Sequence, residues 1–230
     1  TGLCMIDHFL ISVSWDQSVR VWDTDTHTLW GDPIEYAHES AITGVDASPE
    51  FETFATCSSD GLGHIWSLEG MEKVGTIKGH GAEVSHIKWN ALHSCWVTAS
   101  EDCTIRMWQP EGAPEMKADS RRKQGLDRVA RMGDEGEDVL IKLDTEGFSA
   151  LAVEPVLGYV IAGLSDASVV VVDMSREVVL QVYKGHRDVA RAIVCLPEKM
   201  QLITAGWDHS IRVWAVPFLK GKEVFLKGKE

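Results

Sequence analysis

Positive charge is scarce in this sequence. Its 230 residues carry 22 Lys and Arg against 35 Asp and Glu, a formal net charge of −13. Nucleic-acid affinity rests on neutralising phosphates, so a chain this acidic is a poor candidate for it. Anionic membrane surfaces repel it for the same reason. Long apolar runs are also missing. None approaches the roughly 18 residues that a membrane-spanning helix needs. Cysteine is sparse and odd in number: Cys4, Cys57, Cys95, Cys103 and Cys195 include no C-x-x-C pair. That argues against a disulfide framework and against a structural zinc site. Free thiols in a reducing, cytoplasmic compartment are the expectation. The chain begins Thr1-Gly2-Leu3, and it is expected to be a piece of something longer.

The chemistry-bearing motifs are missing too. There is no GxxxxGK[ST] phosphate loop, no GxGxxG, no HExxH among the nine His and no G-x-S-x-G elbow. Aromatics are few and are not interleaved with basic stretches, unlike single-strand binders. The expectation is no enzyme, no cofactor, no metal and no small-molecule substrate, with other proteins as the partners. What the chain does have is an ordinary globular balance, 44% hydrophobic and 25% charged residues.

It also has a repeat. Five segments align: 14–23, 58–67, 100–109, 164–173 and 206–215. Each carries an Asp followed six residues later by Trp, or once by Val: Asp16/Trp22, Asp60/Trp66, Asp102/Trp108, Asp166/Val172 and Asp208/Trp214. The Asp-to-Asp distances are 44, 42, 64 and 42, so the third interval holds an insertion of about 22 residues beyond the 42-residue unit. His38, His80 and His186 each stand 22 residues before a repeat Asp. A hydroxyl stands four before it at Ser12, Thr56, Thr98 and Thr204, with Ala162 in the fourth unit. In the second unit the runs 41–46, 53–57, 62–67 and 74–78 are short and β-branched, and Gly, Asp, Pro and Ser separate them. Ser-Ser-Asp-Gly at 58–61 is a hairpin signal.

With GH-like and WD-like signatures in register, the chain resembles the WD-repeat (WD40) β-propeller family. The resemblance implies an all-β fold with five recognisable four-stranded blades, part of a larger propeller of about seven. The blades fall at about 2–36, 37–78, 79–143, 144–184 and 185–227, the third including the charged insertion 110–137. A duplicated FLKGKE tail or linker occupies 218–230. Gly2–Ile6 reads as the innermost strand of the first blade, and the fifth blade's outer strand would come from 222–226. The insertion reads as a solvated surface loop with capacity for a helical turn or two at 119–132, and its cluster Arg121-Arg122-Lys123 as a docking candidate.

The resemblance also implies that the recurring polar residues are structural. A triad for catalysis would occur once, not three times. The hydrogen-bonded sets are His38, Thr56, Asp60, Trp66; His80, Thr98, Asp102, Trp108; and His186, Thr204, Asp208, Trp214. The first unit retains Ser12, Asp16 and Trp22. The fourth retains only Asp166, so its interior is expected to be purely apolar. Partners of this family often dock where the turns between second and third strands emerge. The residues just before the repeat Asp lie there: Trp15, Ser59, Glu101, Ser165 and Trp207. Glu39, Glu83, Arg187 and Arg191 from the incoming loops join them. The function expected is a non-catalytic protein-interaction scaffold within a larger protein or assembly, with cytoskeletal or ciliary association as a narrower form. The alternative is a receptor for a basic peptide or histone-like tail on the acidic face.

Overall fold

A computed structural model describes residues 1–109, 130–131 and 141–216. Within them the chain is all-β and forms five sheets. The first holds β1 (Gly2–Ile6), β2 (Phe9–Val13), β3 (Val19–Asp23) and β4 (Thr28–Leu29). The second holds β5 (Ile42–Ser48), β6 (Thr53–Ser58), β7 (Gly63–Ser67) and β8 (Lys73–Ile77). The third holds β9 (Val84–Asn90), β10 (Cys95–Ser100), β11 (Thr104–Gln109), β12 (Ala130–Arg131) and β13 (Ile141–Lys142). The fourth holds β14 (Phe148–Val153), β15 (Val160–Leu164), β16 (Val169–Asp173) and β17 (Val178–Tyr183). The fifth holds β18 (Ala190–Leu196), β19 (Gln201–Gly206) and β20 (Ile211–Ala215). Strand order follows chain order in the first, second, fourth and fifth sheets, and those pairings are all antiparallel. The first strands β1, β5, β9, β14 and β18 pack side by side, so the sheets stand as successive blades around a common axis.

The core lies between blades, not within them. One cluster joins the first two blades, with Ile6, Ile11, Val21, Ile42, Phe54 and Trp66 among its members. A second joins Cys57, Ile65, Ile77, Ile87, Trp96 and Trp108 of the second and third blades. Two more fill the third and fourth junctions. The second, third and fourth sheets therefore bury apolar side chains on both faces, and the first and fifth on one, which a lone sheet cannot do. The arc is open. Leu3 and Met5 on β1, and Val194, Ile211 and Val213 on β18 and β20, are exposed.

Two details differ from the sequence reading. Ala130 and Arg131 are extended and pair in parallel with Trp108 and Gln109 of β11, so no helical turn runs through these two residues. Among the described residues the outer edge of β11 is otherwise paired at Thr104 and Ile105 by β13, and an unpaired edge recruits available backbone. The rest of the insertion, Arg121-Arg122-Lys123, the 222–226 strand and the duplicated tail lie outside the described residues. The fourth blade is also not purely apolar inside. Ala162 and Val172 are buried, but so is Ser149, whose hydroxyl donates to the Ala190 carbonyl of the next blade at 2.7 Å.

That serine belongs to a recurring β-bulge. In the second to fifth blades the first strand carries one extra residue near its start: Thr43, Ser85, Ser149 and Arg191. A bulge re-aims its side chain. Thr43 and Ser149 use this to reach the carbonyls of Val84 and Ala190 in the following blade.

The turns between second and third strands are all built alike. Gln17, Gly61, Cys103, Ala167 and His209 each donate an amide to the carbonyl three residues back, and each has φ between 60° and 82°. This is a type I turn followed by a left-handed residue. Only the second unit has the glycine that this conformation favours. Ala167, at φ 67°, is thus strained, and Ala167→Gly should stabilise the chain by about 0.5–1 kcal/mol. Thermal melting checks this: a rise of about 1–3 °C is expected, and an unchanged or lower midpoint would show that this turn stores no strain.

Candidate functional site

The recurring Asp has two oxygens and uses both. Its Oδ1 accepts the amide two residues on, from Ser18, Leu62, Thr104, Ser168 and Ser210, at 2.9–3.1 Å. This fixes the turn locally. Its Oδ2, in the second, third and fifth blades, reaches the incoming loop. There it accepts from the His Nδ1 at 3.0, 2.9 and 3.0 Å. It also accepts the backbone N–H of Glu39, Gly81 and Arg187 at 3.2, 3.0 and 3.0 Å.

The chain of bonds continues inward with one polarity. A carboxylate only accepts, so it places the imidazole proton on Nδ1 and leaves Nε2 as an acceptor. Thr56, Thr98 and Thr204 donate to the Nε2 of His38, His80 and His186 at 2.8, 2.6 and 2.6 Å. Each threonine oxygen then accepts the indole N–H of Trp66, Trp108 or Trp214 at 2.9, 2.8 and 2.9 Å. The register explains why these residues meet. Phe54 stands opposite Trp66, so Thr56, two residues further along the same face, lies diagonally within reach of the indole.

The other two blades hold their loops differently. Ser12 accepts from Trp22 at 3.0 Å, but Trp22 is 38% exposed. In the fourth blade Ser165 takes over the contact to the incoming loop: Thr145 Oγ1 lies 3.0 Å from its hydroxyl, which also accepts the Glu146 amide at 3.1 Å.

Electrostatics follow burial. Burial lowers the His38 and His80 imidazoles despite the carboxylates beside them. Burial opposes the Asp102 carboxylate, but hydrogen bonds from His80, Thr104 and Gly81 outweigh it and hold the group well below the usual range. Hydrogen bonding from the Arg187 amide, with Ser210 and His186, does the same for Asp208. His64, which the repeat pattern does not single out, stacks on His38 at 4.0 Å and donates Nδ1–H to the Ala37 carbonyl at 2.8 Å. Burial, with His38 adding to it, pushes it down to about 4. His86 is likewise pushed down to about 4 by burial, with Arg191 and Lys88 adding to it.

At the surface, Trp15 is 73% and Trp207 61% exposed, on the turns of the first and last blades. Arg191, the bulge residue of β18, lays its guanidinium 5.1 Å from the Trp207 ring centre. Glu39, Glu101, Ser165 and Arg187 are exposed; Ser59 and Glu83 are half-buried. Trp207 and Arg191 are brought together, and Glu101 meets Glu83 through an amide-to-carbonyl bond of 2.9 Å. Sequence spacing misses one further group. His8, Asp23 and Asp25 bring ligand-type atoms within 4.8 Å of one another across two turns. There Asp23 Oδ1 already accepts the Asp25 and Thr26 amides.

The "WD domain, G-beta repeat" family model matches residues 6–23, 31–67, 71–109 and 177–215. Each of the last three matches runs from the outer strand of one sheet through the third strand of the next, or lies close to that span. The strands β14–β16, where Ala162 and Val172 stand, fall outside them. Apoptotic protease-activating factor 1 of Mus musculus is 25% identical over 239 residues, 96% of this chain and 19% of that protein. A guanine nucleotide-binding protein subunit beta-like protein of Encephalitozoon cuniculi is 24% identical over 229 residues, 96% of this chain and 61% of that one. A ribosome biogenesis protein WDR12 homolog of Trichoplax adhaerens is 29% identical over 175 residues, 68% of this chain and 38% of that one. The chain thus spans about a fifth to three fifths of the length of these relatives.

Two predictions test the hydrogen-bonded chains. Thr98→Val removes a hydroxyl and orphans two buried nitrogens, so it should cost about 1–3 kcal/mol in urea unfolding. Ser12→Ala should cost less than about 1 kcal/mol, because water reaches the Trp22 side. Equal losses would refute the burial argument. For pH, histidines with lowered folded pKa leave the unfolded chain binding more protons. Stability should therefore fall as pH drops from the ordinary value of 6.5 toward about 4. His64→Gln retains a donor for Ala37 and should flatten this decline in the urea midpoint. An unchanged slope would show that His64 does not contribute.

Proposed function

The chain belongs to the WD-domain, G-beta repeat family, and from that premise we propose that it is a non-catalytic protein-interaction scaffold, a propeller portion of a larger protein or multi-subunit assembly. The observation that carries this reading is the pair of exposed indoles, Trp15 and Trp207, on turns made rigid by Asp16 and Asp208. A large apolar side chain held still before binding loses little entropy on contact, and tryptophan is enriched at interface hot spots. The uncovered apolar faces of β1 and of β18–β20 support the larger-assembly part of the reading, because a further blade would bury them. A cytoplasmic, reducing location belongs to the same proposal and rests on the five free cysteines. Cytoskeletal or ciliary association is its narrower form.

The test is affinity purification of the tagged chain from cells, with quantitative mass spectrometry. Trp15→Ala with Trp207→Ala should deplete a defined set of proteins about tenfold relative to wild type. An identical set in both samples would remove this surface from the reading.

A further inference from the structure

An open groove of about 540 Å³ lies between the first two blades. Its walls come from 30–34, which follow β4, and from the turn Glu69–Met71 between β7 and β8. That turn emerges at the opposite end of β7 from the Asp60 turn. Neither Trp15 nor Trp207 lines the groove.

The floor is apolar and the rim is acidic. Ile34 and Met71 pack on the core cluster of the first blade junction, so the floor is anchored. Trp30, 42% exposed, supplies one wall. Its position is fixed by its amide bond to Val21 (2.7 Å) and by ring contact with Phe9 at 5.0 Å. Asp32 and Glu69 line the groove and are exposed, and no Lys or Arg lines it among the described residues. Its volume falls in the range of sites that hold a ligand. An aromatic row runs on from Trp30 through Phe9 to His8, whose ring is 4.1 Å from Phe9. At the far end of the row stand Asp23 and Asp25. Carboxylates thus flank an aromatic strip at both ends.

We propose that this groove binds a short peptide segment of a partner protein, carrying a bulky apolar side chain flanked by lysine or arginine. The apolar side chain occupies the floor between Trp30 and Met71, where methionine adapts to varied shapes. One flanking cation sits between Asp32 and Glu69, and an arginine there also faces the Trp30 ring. A cation on the other side reaches toward Asp23 and Asp25. An acidic segment meets only like charge, and a purely apolar one leaves the rim unused.

The probe is a fluorescein-labelled peptide, Lys-Leu-Arg-Phe-Lys-Leu, titrated by anisotropy. Saturable binding is expected, weakened about tenfold in Asp32→Lys with Glu69→Lys and unchanged in Trp15→Ala with Trp207→Ala. The charge reversals are at exposed positions, and an unchanged urea midpoint verifies that the variant folds. In a spectrum of ¹⁵N-labelled indoles, the Trp30 signal, assigned through Trp30→Phe, should move on addition of the peptide. The proposal is overturned if no saturable binding occurs up to about 1 mM, if the peptide with glutamate replacing lysine and arginine binds as well, or if affinity is unaltered by the charge reversal. Loss of binding in the Trp15/Trp207 variant alone would move the basic-peptide site to the opposite end.

Discussion

An apolar sheet face stays buried only when another sheet packs against it. That constraint organises the whole chain. Ile11, Val21, Phe54, Ile65, Val97 and Val171 are buried because a neighbouring blade covers them, not because their own sheet does. The clusters sit at the four junctions, and each junction needs correct alignment of two sheets. The bulge residues supply part of that alignment. Thr43 and Ser149 each answer a carbonyl of the following blade, so a backbone group that burial would otherwise orphan finds a partner.

Within a blade the same logic applies to polar groups. A buried indole, hydroxyl and imidazole are costly singly and harmless when each donates to the next. The chain from Trp108 through Thr98 and His80 ends on Asp102, which also holds its own turn. One carboxylate therefore couples the interior of the sheet to two loops at the surface. The fourth blade reaches a comparable loop contact with Ser165 and Thr145 while Ala162 and Val172 leave no imidazole or indole to satisfy.

Much of the architecture is legible in the sequence because it repeats. The offsets of 22, 4 and 6 residues around the Asp recur together in the second, third and fifth units, and β-branched runs in 41–78 correspond to β5–β8. Other features are hidden for physical reasons. A bulge adds one residue without altering composition, so Thr43, Ser149 and Arg191 look like ordinary strand residues. The left-handed position is occupied by Gln17, Cys103, Ala167 and His209 as well as by Gly61, so glycine does not mark it. The short β12 strand depends on an edge left open in β11. The groove at Trp30 and Met71 joins two units through parts that do not repeat, and no periodicity reports it.

The repeat matches of the family do not coincide with the sheets. The match at 71–109 takes in β8 of one blade and β9–β11 of the next, and that at 177–215 takes in β17 with β18–β20. The unit of sequence is thus the outer strand of one sheet with the first three strands of the next, and the unit of structure is a sheet completed by two such units. A duplication that adds one such unit copies both apolar faces of three strands together with the outer strand that straps them to the preceding sheet. Propellers can then lengthen by whole units without first inventing a new surface for the added sheet to meet.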